Sequence, residues 1–72
     1  MQIRTVGFAE KMFGFKKKQI DFEGTKKLKD VLDFSDIPLN LIAILINGRS
    51  ANIDSEVKPQ DKVVITQIVA GG

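Results

Sequence analysis

The last two residues, Gly71 and Gly72, have the clearest potential for chemistry in this chain. Glycine loses more conformational freedom on ordering than any other residue, so a glycine pair suits a mobile tail better than a strand end. Without Cβ atoms, the pair could also thread a channel too narrow for side chains. We therefore expect a flexible tail over residues 70–72 that presents the Gly72 carboxylate to a partner, with Gly71 and the small Ala70 giving access. From Val69 onward the tail would reach roughly 13 Å beyond a sheet.

The side chains offer little other chemistry, because the 72 residues include no histidine and no cysteine. The chain therefore has no thiolate nucleophile, no imidazole base, and no nitrogen or sulfur ligands for zinc or an iron–sulfur cluster. A domain of this size can form one modest core but not an enclosed substrate cavity as well. We expect no catalytic residues, no metal site and no bound cofactor, and we predict that the chain is not an enzyme.

Basic residues cluster in the first half of the chain, although the formal net charge is only +2. Lys16, Lys17 and Lys18 form a run next to Phe13 and Phe15, but so small a net charge does not favour nucleic acid as a partner. No apolar stretch approaches the roughly 20 residues that span a bilayer, and the N-terminal residues lack the pattern of a secretory signal. We expect a monomeric, cytoplasmic domain with no membrane partner.

The first half of the chain predicts a hairpin followed by a helix. Residues 2–8 and 18–23 have strand-like patterns, and we expect a turn between them within residues 9–15, where Gly14 is the natural breaker. An apolar stripe at i, i+3 and i+4 then predicts a short helix over residues 26–34, capped by Thr25.

The second half predicts strands that end at the tail. Asn47-Gly48 is the strongest turn dipeptide in the chain, and Pro38 ends any continuation of the helix. The predicted elements are a central strand at 41–46, a short strand at 50–53, one helical turn at 54–57, a tight turn at 58–61 and a last strand at 62–69.

The resulting order, β-β-α-β-β-β, predicts an α+β domain over residues 1–69. If the first and last strands lie side by side in the middle of the sheet, they must be parallel. That arrangement is the β-grasp, a mixed sheet of four to five strands packed on one main helix.

One face of this sheet should remain uncovered by the helix. Alternate residues of a strand point to opposite faces of the sheet, and we call each alternating set a parity. In the last strand one parity holds Val63 and Ile65, and the other holds Val64, Thr66 and Ile68. Both parities of the central strand are apolar. A helix covers only one side, so we expect an apolar partner surface near the tail, to which Phe8 or Phe15 could contribute. The parity that faces outward, and whether loops cover part of it, are left open by the sequence.

At this point the chain resembles the ThiS/MoaD-type sulfur carriers of the ubiquitin-like superfamily. The resemblance covers nearly the whole chain and is densest in Ile46-Asn47-Gly48-Arg49, in residues 61–65 and in residues 67–72. Gln60 departs from the family pattern, since many members have glycine there. If that position requires a positive φ, the turn is strained by about 1 kcal/mol; otherwise it is built differently.

The resemblance implies a specific chemistry at Gly72. A terminal carboxylate is ionised at neutral pH and is a poor electrophile, so an E1-like partner would use ATP to convert it into an acyl-adenylate. Sulfur from a persulfide donor would then replace AMP, and the thiocarboxylate would pass its sulfur to an accepting synthase. The destination would be thiamin, molybdopterin or thiolated tRNA, with a slight preference for thiamin from the ending of the chain.

Two alternatives belong to other functional classes. Gly72 could form an isopeptide bond with a target lysine, which would make the chain a protein modifier. The chain could also be a plain protein- or RNA-binding module that uses the basic run or the sheet edge, with no chemistry at the tail.

Overall fold

A computed structural model of the chain describes residues 1–68. The elements are β1 (Gln2–Val6), α1 (Ala9–Phe13), β2 (Lys17–Gln19), β3 (Lys26–Lys27), α2 (Leu28–Val31), β4 (Ile42–Ile46), β5 (Arg49–Ala51), β6 (Glu56–Val57) and β7 (Lys62–Gln67), with a 3₁₀ turn at Leu39–Leu41 before β4.

Five strands form a mixed sheet in the order β2-β1-β7-β4-β5. β1 and β7 lie side by side and run parallel, and every other neighbouring pair in this sheet is antiparallel. The prediction that the first and last strands form the parallel centre of the sheet is therefore confirmed. The arrangement places the C-terminal end of β7 between β1 and β4, in the middle of the sheet.

The hydrophobic core lies on one side of this sheet. α2 packs there through Leu28, which is fully buried, and Leu32 follows it into the core. α1 lies on the same side: Ala9 is fully buried, and the ring of Phe13 meets that of Phe34 edge-on at 5.6 Å between centroids. The sheet contributes alternate residues to this core, namely Ile3, Thr5, Ile42, Ile44, Val63 and Ile65.

The main helix is shorter than predicted and begins later. Lys26 and Lys27 are extended and pair with β6, so α2 begins at Leu28 with Lys27 as its N-cap, and no side chain caps it. The predictions of a helix over 26–34 and of a Thr25 cap are therefore wrong. The amide of Leu28 donates to Ser55 O at 2.9 Å, so partners elsewhere in the chain take the place of a local cap. The predicted burial of the apolar stripe is confirmed at Leu28 and Leu32.

Three other local predictions differ from the structure. The expected turn within residues 9–15 contains α1, which Gly14 ends in the left-handed conformation at φ 78°. The second strand spans only Lys17–Gln19, and the helical turn expected at residues 54–57 is replaced by strand β6. The partner of β6 is β3, which is distant in sequence, and local propensity does not reveal such a partner.

Candidate functional site

Both helices of residues 1–68 pack on the core side of the sheet, so within these residues the opposite face carries none. In β7, Val63 and Ile65 are buried in the core, whereas Val64 and Thr66 point the other way and are half-buried. The parity that the sequence left open is therefore decided: Val64 and Thr66 lie on the uncovered face, which we call the open face.

The open face is continuous across the sheet, because directly paired residues of neighbouring strands point to the same side. One row runs through Lys17, Arg4, Val64, Leu45 and Ser50. The next row toward the tail runs through Val6, Thr66 and Ala43. Each row is apolar or weakly polar in the middle, and the first is basic at the β2 end.

Two of the five predicted interface residues lie on this face, and two lie just beyond the ends of β1 and β7. Val64 and Thr66 lie at its centre; Ile68 is 44% exposed just after β7, and Phe8 is 53% exposed just after β1. The amide of Phe8 donates to Gln67 Oε1 at 3.3 Å, which holds the Phe8 turn against the end of β7.

Phe15 does not join this group. It packs against the core cluster, with its ring 5.9 Å from that of Phe13, and its carbonyl accepts a hydrogen bond from the buried Thr5 hydroxyl. The expectation that Phe15 contributes to the uncovered surface is therefore corrected. The residues that replace it, Val6, Ala43 and Leu45, could have been found only by knowing the strand register.

The residue that follows β7 is tied to the 3₁₀ turn that precedes β4. The amide of Ile68 donates to Leu41 O at 2.8 Å. Ala70, Gly71 and Gly72, to which the sequence assigns the chemistry, lie outside the described residues. The described part of the chain therefore ends in an anchored residue beside the open face.

The opposite end of β7 is held by an Asn47–Asp61 clamp that sequence reasoning missed. Asn47 Nδ2 donates to Asp61 Oδ1 at 2.9 Å, and the amide of Lys62 donates to Asn47 Oδ1 at 3.0 Å. Asp61 Oδ2 also accepts from the amide of Lys58 at 2.8 Å. The clamp joins the β4–β5 turn to the start of β7 and so positions the strand from which the tail continues.

The structure also shows which backbone conformation Gln60 adopts. Among residues 1–68, Asn47 is the one non-glycine residue with a positive φ, at 52°. Gln60 therefore escapes left-handed strain, and the turn is closed instead by the hydrogen bond from the amide of Asp61 to Lys58 O at 3.0 Å.

Two local contacts away from the open face shift the pKa values of the side chains that make them. A hydrogen bond from Lys29 Nζ at 2.8 Å lowers the pKa of Asp54 and raises the pKa of Lys29. The amide of Ser35 donates to Asp33 and lowers the pKa of that carboxyl. No cluster of three or more acidic side chains suited to a metal ion occurs within residues 1–68.

Comparison with known families identifies the chain. The model of the ThiS family matches residues 6–72. The chain belongs to the ThiS family. The resemblance inferred from the sequence is thereby confirmed, and so is the fold class, because the ThiS family is a β-grasp family and the sheet has the predicted mixed order.

Membership of the ThiS family gives the chain the general role of a ubiquitin-like sulfur carrier. Family members are small carriers rather than catalysts, and they work with E1-like activating enzymes and sulfur-transfer partners. A search of curated proteins finds no match. Within residues 1–68, every helix is too short or too polar to cross a membrane.

Proposed function

We propose that this ThiS-family chain carries sulfur as a thiocarboxylate on Gly72, after adenylation by an E1-like enzyme. The observation that carries the proposal is the family match, which extends over residues 6–72 and so includes the Gly71-Gly72 ending. The absence of histidine and cysteine supports it, because the side chains supply no alternative group to hold sulfur.

The reaction needs three steps. A carboxylate oxygen of Gly72 attacks the α-phosphorus of ATP, pyrophosphate leaves, and an acyl-adenylate forms. A persulfide sulfur of the donor attacks the carbonyl carbon, and AMP leaves. A thiol then cleaves the resulting acyl disulfide, which leaves the thiocarboxylate on the carrier. ATP is thus a substrate of the partner, and the carrier itself binds no cofactor.

The open face serves as the docking surface in this proposal. Val64 and Thr66 lie on this face, Phe8 and Ile68 are exposed just beyond the ends of β1 and β7, and an apolar centre with a polar rim is typical of protein interfaces. A partner seated on this face would hold the last anchored residue, Ile68, at a fixed distance from its active site. Gly71 and Ala70 would then enter the channel without steric conflict.

The test is reaction with an E1-like adenylating enzyme from the same genome, ATP and a persulfide donor, followed by intact mass measurement. We expect a mass gain that equals the exchange of one oxygen for one sulfur, and we expect none in a variant without Gly71 and Gly72. The truncated variant should unfold at the same temperature as the full chain, because two glycines have no side chains to add to the core.

Other outcomes would identify other functions. Isopeptide adducts in cells that map to Gly72 would indicate a protein modifier, and a full-length chain that gains no sulfur would contradict the proposal. Supply of the thiocarboxylate to thiamin, molybdopterin or tRNA synthases would identify the acceptor. The cytoplasmic location expected from the sequence stays a prediction.

A further inference from the structure

The five-stranded sheet carries charge of one sign only. Its strands contain no aspartate or glutamate. They contain five cations, which are Arg4, Lys17, Lys18, Arg49 and Lys62. The chain as a whole has nine acidic residues against eleven basic ones, so this separation is not a consequence of overall composition.

Two of these cations face each other at the edge of the open face. Arg4 in β1 is the direct cross-strand partner of Lys17 in β2, and both side chains are exposed. Within residues 1–68 neither forms an ion pair, since the one ion pair there joins Lys29 to Asp54. Glu10 borders the same shallow concavity as Arg4 and Lys17 but is not paired with either.

This pairing works against the fold. Like charges directly opposite each other in neighbouring strands destabilise a sheet, and no described carboxylate forms an ion pair with either cation. The same row continues from Arg4 to Val64 and Leu45, so the basic pair directly borders the apolar centre of the open face.

We propose that the open face binds a protein surface whose apolar centre is bordered by carboxylates, which pair with Arg4 and Lys17. The inference rests on the proposed function and makes this acidic border a property of the E1-like activating partner. A protein is favoured over nucleic acid because the centre of the face, around Val64 and Leu45, is apolar, whereas nucleic-acid interfaces are polar and strongly basic throughout.

The arrangement predicts opposite effects of one substitution on stability and on binding. R4E places a carboxylate opposite Lys17 and so turns a repulsive cross-strand pair into an attractive one. We expect its melting temperature to equal or exceed that of the unsubstituted protein. Its binding to an acidic partner should weaken, because the substituted side chain would repel the partner's carboxylates.

The experiment is ATP–pyrophosphate exchange by an E1-like adenylating enzyme from the same genome, measured against carrier concentration. R4E and K17E should each raise the KM for the carrier by about tenfold and leave kcat unchanged. The KM of the unsubstituted protein should rise with salt, and R4Q/K17Q should flatten that dependence. The matched control is K26E, which makes the same change of charge on exposed β3, outside the five-stranded sheet.

Each remaining outcome counts against the inference. The unsubstituted protein could support exchange while R4E shifts KM no more than K26E does. In that case the partner has no carboxylates that pair with Arg4 and Lys17, and the proposed function stands. If R4Q/K17Q keeps the original KM but loses binding to bulk tRNA in a fluorescence titration, the basic edge serves nucleic acid. If the unsubstituted protein supports no exchange at all, the proposed function fails and this inference fails with it.

Discussion

Val64 and Ile65 are neighbours in β7 and belong to opposite faces of one sheet. Ile65 is fully buried between its partners Thr5 and Ile44. Val64 has Arg4 and Leu45 as partners and is only half-buried. The core face therefore holds the fold together, whereas the open face keeps apolar area that the isolated domain leaves in contact with water. Substitutions on the two faces should separate stability from partner binding.

The largest effect on stability is expected from Ile65→Ala. Truncation of a fully buried isoleucine leaves a cavity and typically costs about 2–5 kcal/mol. We expect a loss of this size in the free energy of unfolding, measured by urea denaturation. A loss no larger than that of Val64→Ala would mean that the two faces do not differ in the way described.

Asp61→Ala should have the next largest effect, because it removes two acceptors from the Asn47–Asp61 clamp. We expect a loss of about 1–2 kcal/mol in the free energy of unfolding, with the core face unchanged. Asp36→Ala is the matched control, since Asp36 is exposed and its carboxylate accepts no hydrogen bond from the residues described. Equal effects of the two substitutions would argue against the clamp.

Val64→Ala should change stability by about 1 kcal/mol or less, because a half-buried side chain loses only part of its transfer free energy. Its main effect should be on binding: we expect the KM for the carrier in ATP–pyrophosphate exchange to rise about threefold, with kcat unchanged. An unaltered KM would remove Val64 from the proposed docking surface.

The smallest effect should be the pH dependence of the Lys29–Asp54 pair. The pKa of Asp54 is lowered by the Lys29 hydrogen bond, so its contribution to stability is present above its ordinary pKa of 3.8 and is lost as pH falls through the folded-state pKa. The pKa of Lys29 is raised, so its contribution is present below 10.5 and is lost as pH rises through the folded-state pKa.

We expect the melting temperature of the unsubstituted protein to decrease slightly at alkaline pH, and we expect Asp54→Asn to lose this decrease in thermal unfolding scans. Asp33, whose pKa is lowered by the Ser35 amide, still titrates in this variant and contributes to the acid side of the scan. An unchanged alkaline limb in Asp54→Asn would show that the exposed pair contributes nothing measurable, as is common for surface ion pairs.

Much of the fold followed from patterns within short stretches. The alternation in β1, the apolar β4 and the Asn47-Gly48 turn predicted strands at these positions, because period-two burial and turn chemistry are local signals. The parallel centre followed only on the condition that the first and last strands lie side by side, as β1 and β7 do. One of the failures has a cause that no local pattern contains. Lys26 and Lys27 are extended because β6 pairs with them, and such a partner lies too far along the chain for a local pattern to reveal it.

The candidate site, like the fold, has features that the sequence determined and features that only the tertiary structure decided. The sequence by itself determined that the side chains supply no nucleophile or metal ligand and that the chain ends in a glycine pair, because residue identity alone limits that chemistry. It could not decide which face of β7 is open, since both parities are apolar. Only pairing with β1 and β4 placed Ile65 in the core and Val64 outside, and the same register put Arg4 beside Lys17. A one-residue slip would exchange the two faces, so the docking surface depends on tertiary structure.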